Sequence, residues 1–310
     1  MSEKVIKSYK AFDKNMKCRD FQYEVGTEYE MDGEIKCCNR GFHACKNPLE
    51  VWEYYDMLNS RFAEVEQSGN IDEERNSTKV CSSHIKIKAE LKLADIIKVG
   101  VEWLKDITSP FKVKADGVLN DNGYRNKQIG SSGYSAQIGS SGNYVQIGSS
   151  GNYVQIGSSG NYVQIGSSGN YAQIGSSGNY AQIGSSGNNA KIGSSGNYVQ
   201  IGSSGNYVQI GSSGNNAKIG SSGYSAQIGS SGNYVQIDSD GLDSVILCAG
   251  NNSMAKAKAG SWITLSEWKW NNEKNRHVPI CVKTEYVDGE IIKADTWYRL
   301  QKGEFIEVIE

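Results

Sequence analysis

From Ile129 to Ile237 an isoleucine recurs every nine residues, and between successive isoleucines the chain repeats the phrase Gly-Ser-Ser-Gly-Asn-Tyr-Val-Gln with few changes. Within one unit, Tyr153-Val154-Gln155-Ile156 alternates polar and apolar positions, the two-residue period of a strand buried on one face. Val or Ala and Ile point inward; Tyr and Gln point outward. Gly157-Ser158-Ser159-Gly160 then reads as the bend, its two glycines admitting the positive φ that side chains resist. A strand this short cannot bury itself. Copies stacked about 4.8 Å apart can, because each backbone pairs with the next. The pattern therefore predicts a parallel β-solenoid with two nonapeptides per coil, two flat faces, about six coils and a length on the order of 30 Å. One nonapeptide per coil would double that length and leave almost no interior.

With two units per coil, alternate repeats share a face. Tyr144, Tyr162, Tyr180, Tyr198 and Tyr234 then form one exposed ladder, interrupted by Asn216. Tyr153, Tyr171 and Tyr207 form the other, interrupted by Asn189. These eight tyrosines are the candidate binding residues. Tyrosine favours strands and stacks on itself, which explains the rows structurally. Rows of aromatics beside amides also suit the gripping of flat rings.

The flanks follow other periods. Leu93, Ile96, Ile97, Gly100, Leu104 and Ile107 fall on one helical face, opposite Lys98, Glu102 and Lys105, which predicts an amphipathic helix over 93–107. An open solenoid end exposes strand edges, and this helix reads as its cap. The segment "GYRNKQIG" after it carries one residue more than the later "GYSAQIG", the mark of a bulge. Before it, residues 1–92 mix strand candidates ("VIKSYKAF", "FQYEV", "EIKCC", "RFAEVEQ", "KVCSSHIKIKAEL") with one short helix. There Asn47 is the expected N-cap, Pro48 the first helical residue and Glu50 the partner in a capping box. After the repeats, Ile246 keeps the register, and short strands follow, with turns expected at 287–290 and 302–304. The expected class is mainly β. The expected parts are an α+β N-terminal domain (1–92), a capping helix with its lead-in segment (93–127), the nonapeptide solenoid (128–260) and a small C-terminal β domain (261–310).

Charge changes the picture in one respect. The whole chain of 310 residues is nearly balanced, with 32 basic and 34 acidic side chains. Residues 128–236, however, carry only Lys191 and Lys218 and no acid. A reader of phosphate backbones needs many more cations, so the repeat is not expected to bind nucleic acid. Seven cysteines, no secretory leader and no apolar run near the ~18 residues of a membrane span point to a soluble protein of a reducing cytoplasm, with mostly free thiols and no membrane partner.

Candidate chemistry is sparse. "CCNRGFHACKNP" gathers Cys37, Cys38, His43 and Cys45, but not at a zinc-finger spacing, and it reads first as a strand–turn–helix junction with buried cysteines. A Cys–His nucleophile pair there lacks an orienting third group in the sequence. Glu64 and Glu66 share a strand face at i, i+2; they read as a solvated face before they read as paired acids. His43, Glu64 and Glu66 are the catalytic candidates should the N-terminal domain be an enzyme. The repeat turns carry Ser where a calcium-binding roll carries Asp, and Asp238 and Asp240 read as a simple turn. No phosphate loop, nucleophile elbow or His-Glu-x-x-His motif occurs, and no cofactor or metal is expected.

The stretch "CRDFQYEVGTEYEMDGEIKCCNRGFHACKNPLEVWEYY" resembles a family of uncharacterised proteins from bacteriophages, prophages and their hosts, in which a domain with a "GFHAC…NPL" core precedes short repeats. The end, "SMAKAKAGSWITLSEWKW…VDGEIIKADTWYRLQKGEFIEV", resembles the end of the same proteins. Separately, "AQIGSSG" followed by "CAGNNSMAKAKAG" is similar to the β-roll heads of trimeric autotransporter adhesins. The phage resemblance carries no activity with it. It implies a host protein, such as a defence component, as the partner of a non-catalytic binding protein. The alternatives are a structural virion or assembly spacer, and a nucleotide-dependent transferase in the N-terminal domain. Self-association of the chain stays open.

Overall fold

The computed structural model describes residues 4–74, 77–108, 112–113, 118–121 and 127–308. The chain divides into two compact units, Met1–Trp103 and Leu104–Glu310. The fold is mainly β throughout, and among the described residues no helix is long and apolar enough to cross a membrane.

The N-terminal unit is built on one five-stranded antiparallel sheet. Its strands are β1 (Ile6–Phe12), β4 (Glu28–Glu30), β5 (Phe42–Cys45), β6 (Arg61–Glu73) and β7 (Lys79–Leu91), in the order β4-β7-β5-β1-β6. The short hairpin β2 (Lys17–Cys18) and β3 (Phe21–Gln22) stands apart from that sheet. β1 lies between β5 and β6, β6 pairs in turn with β7, and Ser8 through Phe12 of β1 are all buried. β1 and β5 pair at a single position, Tyr9 with Cys45. The expected strand over 34–38 is instead a turn closed by one bridge between Lys36 and Arg40. The expected helix is a 3-10 helix, Pro48–Glu53; Asn47 caps it by accepting from the Leu49 amide at 3.0 Å. Glu50 closes no capping box. Its carboxylate instead takes the Thr78 amide at 3.1 Å and the Thr78 hydroxyl at 2.6 Å, tying the helix to β7. The helix α1 (Leu93–Thr108) buries Ile96, Ile97, Val101 and Leu104 and leaves Lys98 and Glu102 exposed, as its periodicity predicts. Gly100 lets it approach Leu49, whose Cδ2 lies 2.4 Å from where a Cβ would sit.

The second unit is the solenoid. Each repeat contributes a four-residue parallel strand that pairs with the strand 18 residues later, as Ile156 with Ile174 and Ile147 with Ile165. Two nonapeptides therefore make one turn. The strands from Gln128–Ser131 through Trp262–Asn271 make about eight turns, more than the six expected, because the register runs past the last isoleucine of the array. The interior holds Ile, Val or Ala, and the first Ser of each phrase.

The strand and the bend are shifted from where the alternation places them. The strand is Gln155–Ser158, not Tyr153–Ile156, and the tyrosine sits in the corner with φ 57°. Every residue in that corner position, from Ser135 to Asn252, has φ between 54° and 61°, while no glycine of the repeats has a positive φ. A left-handed tyrosine costs roughly 1–2 kcal/mol. Two recurring contacts offset it. Along both corners an Asn side chain takes the amide of the residue 18 positions on, as Asn152 from Asn170 at 2.8 Å and Asn206 from Tyr224 at 3.1 Å. The Tyr rings stack at 4.9 Å and 4°. The second glycine of the phrase has a different purpose. A Cβ on Gly160 would lie 1.8 Å from the carbonyl oxygen of Gly142, so only glycine lets one turn settle on the next.

The C-terminal segment closes the stack by extending both sheets. Trp262–Asn271 joins one sheet in parallel and turns back as Arg276–Tyr286. Tyr298–Gln301 meets the other sheet antiparallel at Ala255 and pairs with Glu304–Glu307. Lys302 and Gly303 make the expected tight turn, both with positive φ. Residues 287–290 form a loop pinned by Asp288, not a hairpin turn. Asp238 and Asp240 likewise form no simple turn: Asp238 ends inside a strand, in register with Lys256 and ion-paired to it at 2.8 Å. The expected bulge in "GYRNKQIG" falls largely on residues outside those described.

Candidate functional site

The two solenoid sheets carry the same outward rows, Gln or Lys and then Gly, but meet different surroundings. On the sheet that contains Gln128–Ser131, the last turn of α1 lies against Gly130 and Gly148. Thr108 O is 2.4 Å from where a Cβ on Gly130 would be, and Thr108 Oγ1 is 2.5 Å from the equivalent point on Gly148. On the other sheet the row is open. At Gly157, Gly193, Gly211 and Gly229 no atom of the described residues lies within 4 Å of the missing Cβ. A row of bare glycines between rows of longer side chains makes a trough. It runs from Gln137 to Leu247 with a volume of about 1150 Å³, and Lys191 is the one charged residue among those lining it. Neither positive φ nor crowding requires glycine in this row. An outward strand glycine of this kind allows another backbone to approach closely.

The trough ends in a hydrophobic patch. In the strand Val245–Cys248 the repeat's Gln-Ile-Gly-Ser becomes Val-Ile-Leu-Cys. Register places Val245 beside Gln227 and Leu247 beside Gly229, so the Gln and Gly rows both turn apolar. Trp262 follows Val245 in the next strand, and Tyr286 follows Trp262. Val245, Leu247, Trp262 and Tyr286 are 52, 45, 48 and 44 % exposed, and the rings of Trp262 and Tyr286 lie 5.0 Å apart. Large side chains in contact and open to solvent mark interaction surfaces more often than singly scattered ones.

The eight candidate tyrosines lie along the two corners of the solenoid, all exposed. Tyr144, Tyr162, Tyr180 and Tyr198 stack in one series, as do Tyr153 and Tyr171 in the other. Tyr207 meets Tyr224 edge-on at 4.9 Å, and Tyr234 stands beyond the Asn216 gap. These rows edge the flat faces; they do not lie on them.

The structure does not bring His43, Glu64 and Glu66 together. His43 lines a separate concavity of the N-terminal unit, where its Nε2 accepts from the Cys38 amide at 3.0 Å and burial pulls its pKa down. Glu64 and Glu66 are ion-paired with Lys7 at 2.8 Å and Lys88 at 3.2 Å, and neither lines that concavity. All seven cysteines are free thiols, and no group of three His, Cys, Asp or Glu placed to hold a metal occurs among the described residues.

The trough and its apolar end went unrecognised in the sequence. The signal was present: "VILC" keeps the nine-residue register while replacing both outward residues of "QIGS" with apolar ones.

Residues 6–99 match the family model described as a domain of unknown function (DUF7666), which spans β1 to β7 and the start of α1. No curated protein and no solved structure matches the chain.

Proposed function

We propose that the chain is a binding protein that works through the open sheet of its solenoid, offering a rigid, nearly uncharged face to a protein partner. The observation that carries this reading is the continuity of the bare-glycine trough with the exposed patch of Val245, Leu247, Trp262 and Tyr286. Aromatic anchors ringed by neutral surface are the usual energetic centre of a protein interface. A single lysine along the trough offers little to a phosphate backbone, which favours protein over nucleic acid. The resemblance of both ends to phage and prophage proteins favours a bacterial host protein, such as a defence component, as the molecule blocked. Capture from bacterial lysate, quantified by mass spectrometry, tests this with the full chain and with Leu247→Ser/Trp262→Ala. The reading expects a protein retained by the first and lost by the second while the circular dichroism of both agrees. Equal capture by both chains would refute it.

The identical turns favour a second reading, a spacer whose turn number sets a length. Removing residues 163–180, one whole turn, distinguishes the two. A binding face keeps its partner, whereas a spacer's reach shortens by about 4.8 Å.

A further inference from the structure

The N-terminal unit holds a concavity of about 590 Å³, within the usual range for small-molecule sites. Among its lining residues is Lys10, in the middle of β1. Its side chain is buried, and its Nζ donates to the His43 carbonyl at 2.9 Å and to Cys18 Sγ at 3.4 Å. The ammonium also lies over the rings of Phe12 at 5.5 Å and Tyr23 at 5.3 Å. Among the described residues no carboxylate forms an ion pair with it. The remaining charges on the wall are Arg19, Lys79 and Asp20, so cations outnumber acids three to one. Lys79 is already paired with Glu74 at 3.2 Å, which leaves Lys10 as the buried cation whose counter-charge is missing. A buried, uncompensated ammonium is costly.

The lining is also aromatic. Phe21, on the β2–β3 hairpin, is 44 % exposed and stands edge-on to Tyr23 at 4.8 Å and Phe42 at 6.0 Å. At the rim Arg19 and Cys38 hold left-handed backbones, with φ 56° and 66°, in residues that have a Cβ. Such strain gathers at ligand-holding sites.

We propose that this concavity binds a nucleoside phosphate, its base against the exposed ring of Phe21 and its phosphate supplying the counter-charge of Lys10. Size, an exposed aromatic ring and an unmatched buried cation each select for part of that ligand: a neutral nucleoside leaves Lys10 uncompensated, and inorganic phosphate leaves the ring bare. Burial pulls the Lys10 pKa down in the free protein, and an anion beside it restores the charge.

The test uses the full chain with AMP, GMP, CMP and UMP, with adenosine and inorganic phosphate as separate arms, read by calorimetry and by thermal shift. The expected result is binding of at least one nucleotide and of neither part alone. Lys10→Met, of similar shape, should remove the nucleotide signal. Phe21→Ala, at an exposed position, should weaken binding at least about fivefold, the lower end of what one base–aromatic stack contributes. Because Phe21 is exposed, this second variant stays informative if Lys10→Met fails to fold. No binding by any nucleotide would overturn the proposal. So would equal binding of adenosine, or unchanged affinity in folded Lys10→Met or Phe21→Ala.

Discussion

Two glycines three residues apart in the same phrase should respond to alanine in opposite ways. At Gly178 a Cβ would lie 1.8 Å from Gly160 O and 2.5 Å from its carbonyl carbon, far inside the roughly 3.5–4.0 Å of an ordinary contact. The neighbouring atoms are backbone and cannot rotate away, so the turns must part locally. Three hydrogen bonds bracket the site: Ser177 N to Ser158 O at 2.9 Å, Asn179 N to Asn161 Oδ1 at 2.8 Å and Tyr162 N to Asn179 O at 3.0 Å. At about 0.5–1.5 kcal/mol each, their loss puts Gly178→Ala about 2–4 kcal/mol below the parent. For a unit of this size that lowers Tm by roughly 5–15 °C. At Gly175 the nearest atom to the new Cβ is Ile156 O at 3.9 Å, so Gly175→Ala should be neutral or gain up to about 1 kcal/mol from the restricted unfolded chain. Thermal melts followed by far-ultraviolet circular dichroism measure both. A loss at Gly175 as large as that at Gly178 would refute the reasoning that turn-on-turn backbone packing, not backbone conformation, fixes the corner glycine.

Ile174→Asp should cost several kcal/mol in urea titration and Gln173→Asp no more than about 0.5, because Ile174 is buried and Gln173 is exposed; similar costs would reverse the inside–outside register. Ser176 points its hydroxyl into the interior, where no hydrogen-bond partner meets it, so Ser176→Ala should be neutral or stabilising by about 1–3 kcal/mol in the same assay. Burial raises the Asp238 carboxyl to about 7, although Lys256 pulls the other way. A carboxyl raised on folding stabilises at low pH and loses that contribution as pH rises from the unfolded value near 4 toward 7, so Asp238→Asn should gain on the parent across that interval in melts at stepped pH.

The solenoid was legible because its register is written in the sequence: isoleucine every nine residues, small bends between, and a core pattern that two units per turn satisfy. Where the strand begins was not legible. Tyr153 to Ile156 alternates as a strand does, and nothing local says that tyrosine will adopt a left-handed corner. That conformation rests on the Asn152–Asn170 bond and on stacking with Tyr171, both from residues 18 positions away. The role of Gly160 was hidden for the same reason, since the atom that excludes a side chain there belongs to Gly142. β1, β6 and β7 fall on segments the sequence marks as strands, and α1 follows its helical period. The junction around Cys37 departs from the strand expected there, because its contacts are tertiary: its amide donates to Asp72 at 2.8 Å. Lys10 drew no notice in the sequence because an isolated lysine in "VIKSYKAF" looks like any solvated strand residue. Only the packing of β1 between β5 and β6, with Phe12 and Tyr23 beside the ammonium, buries it.

The account turns on the open glycine row being the surface a partner occupies. The most direct measurement is the affinity, by titration calorimetry, of the protein captured by the parent chain for Gly175→Val/Gly193→Val/Gly211→Val. Valine suits a strand, and at these positions nothing among the described residues lies closer than 3.9 Å to the new Cβ, so the variant should fold as the parent does. With the trough filled, affinity should fall by tenfold or more. An unchanged affinity in the folded variant would contradict the account.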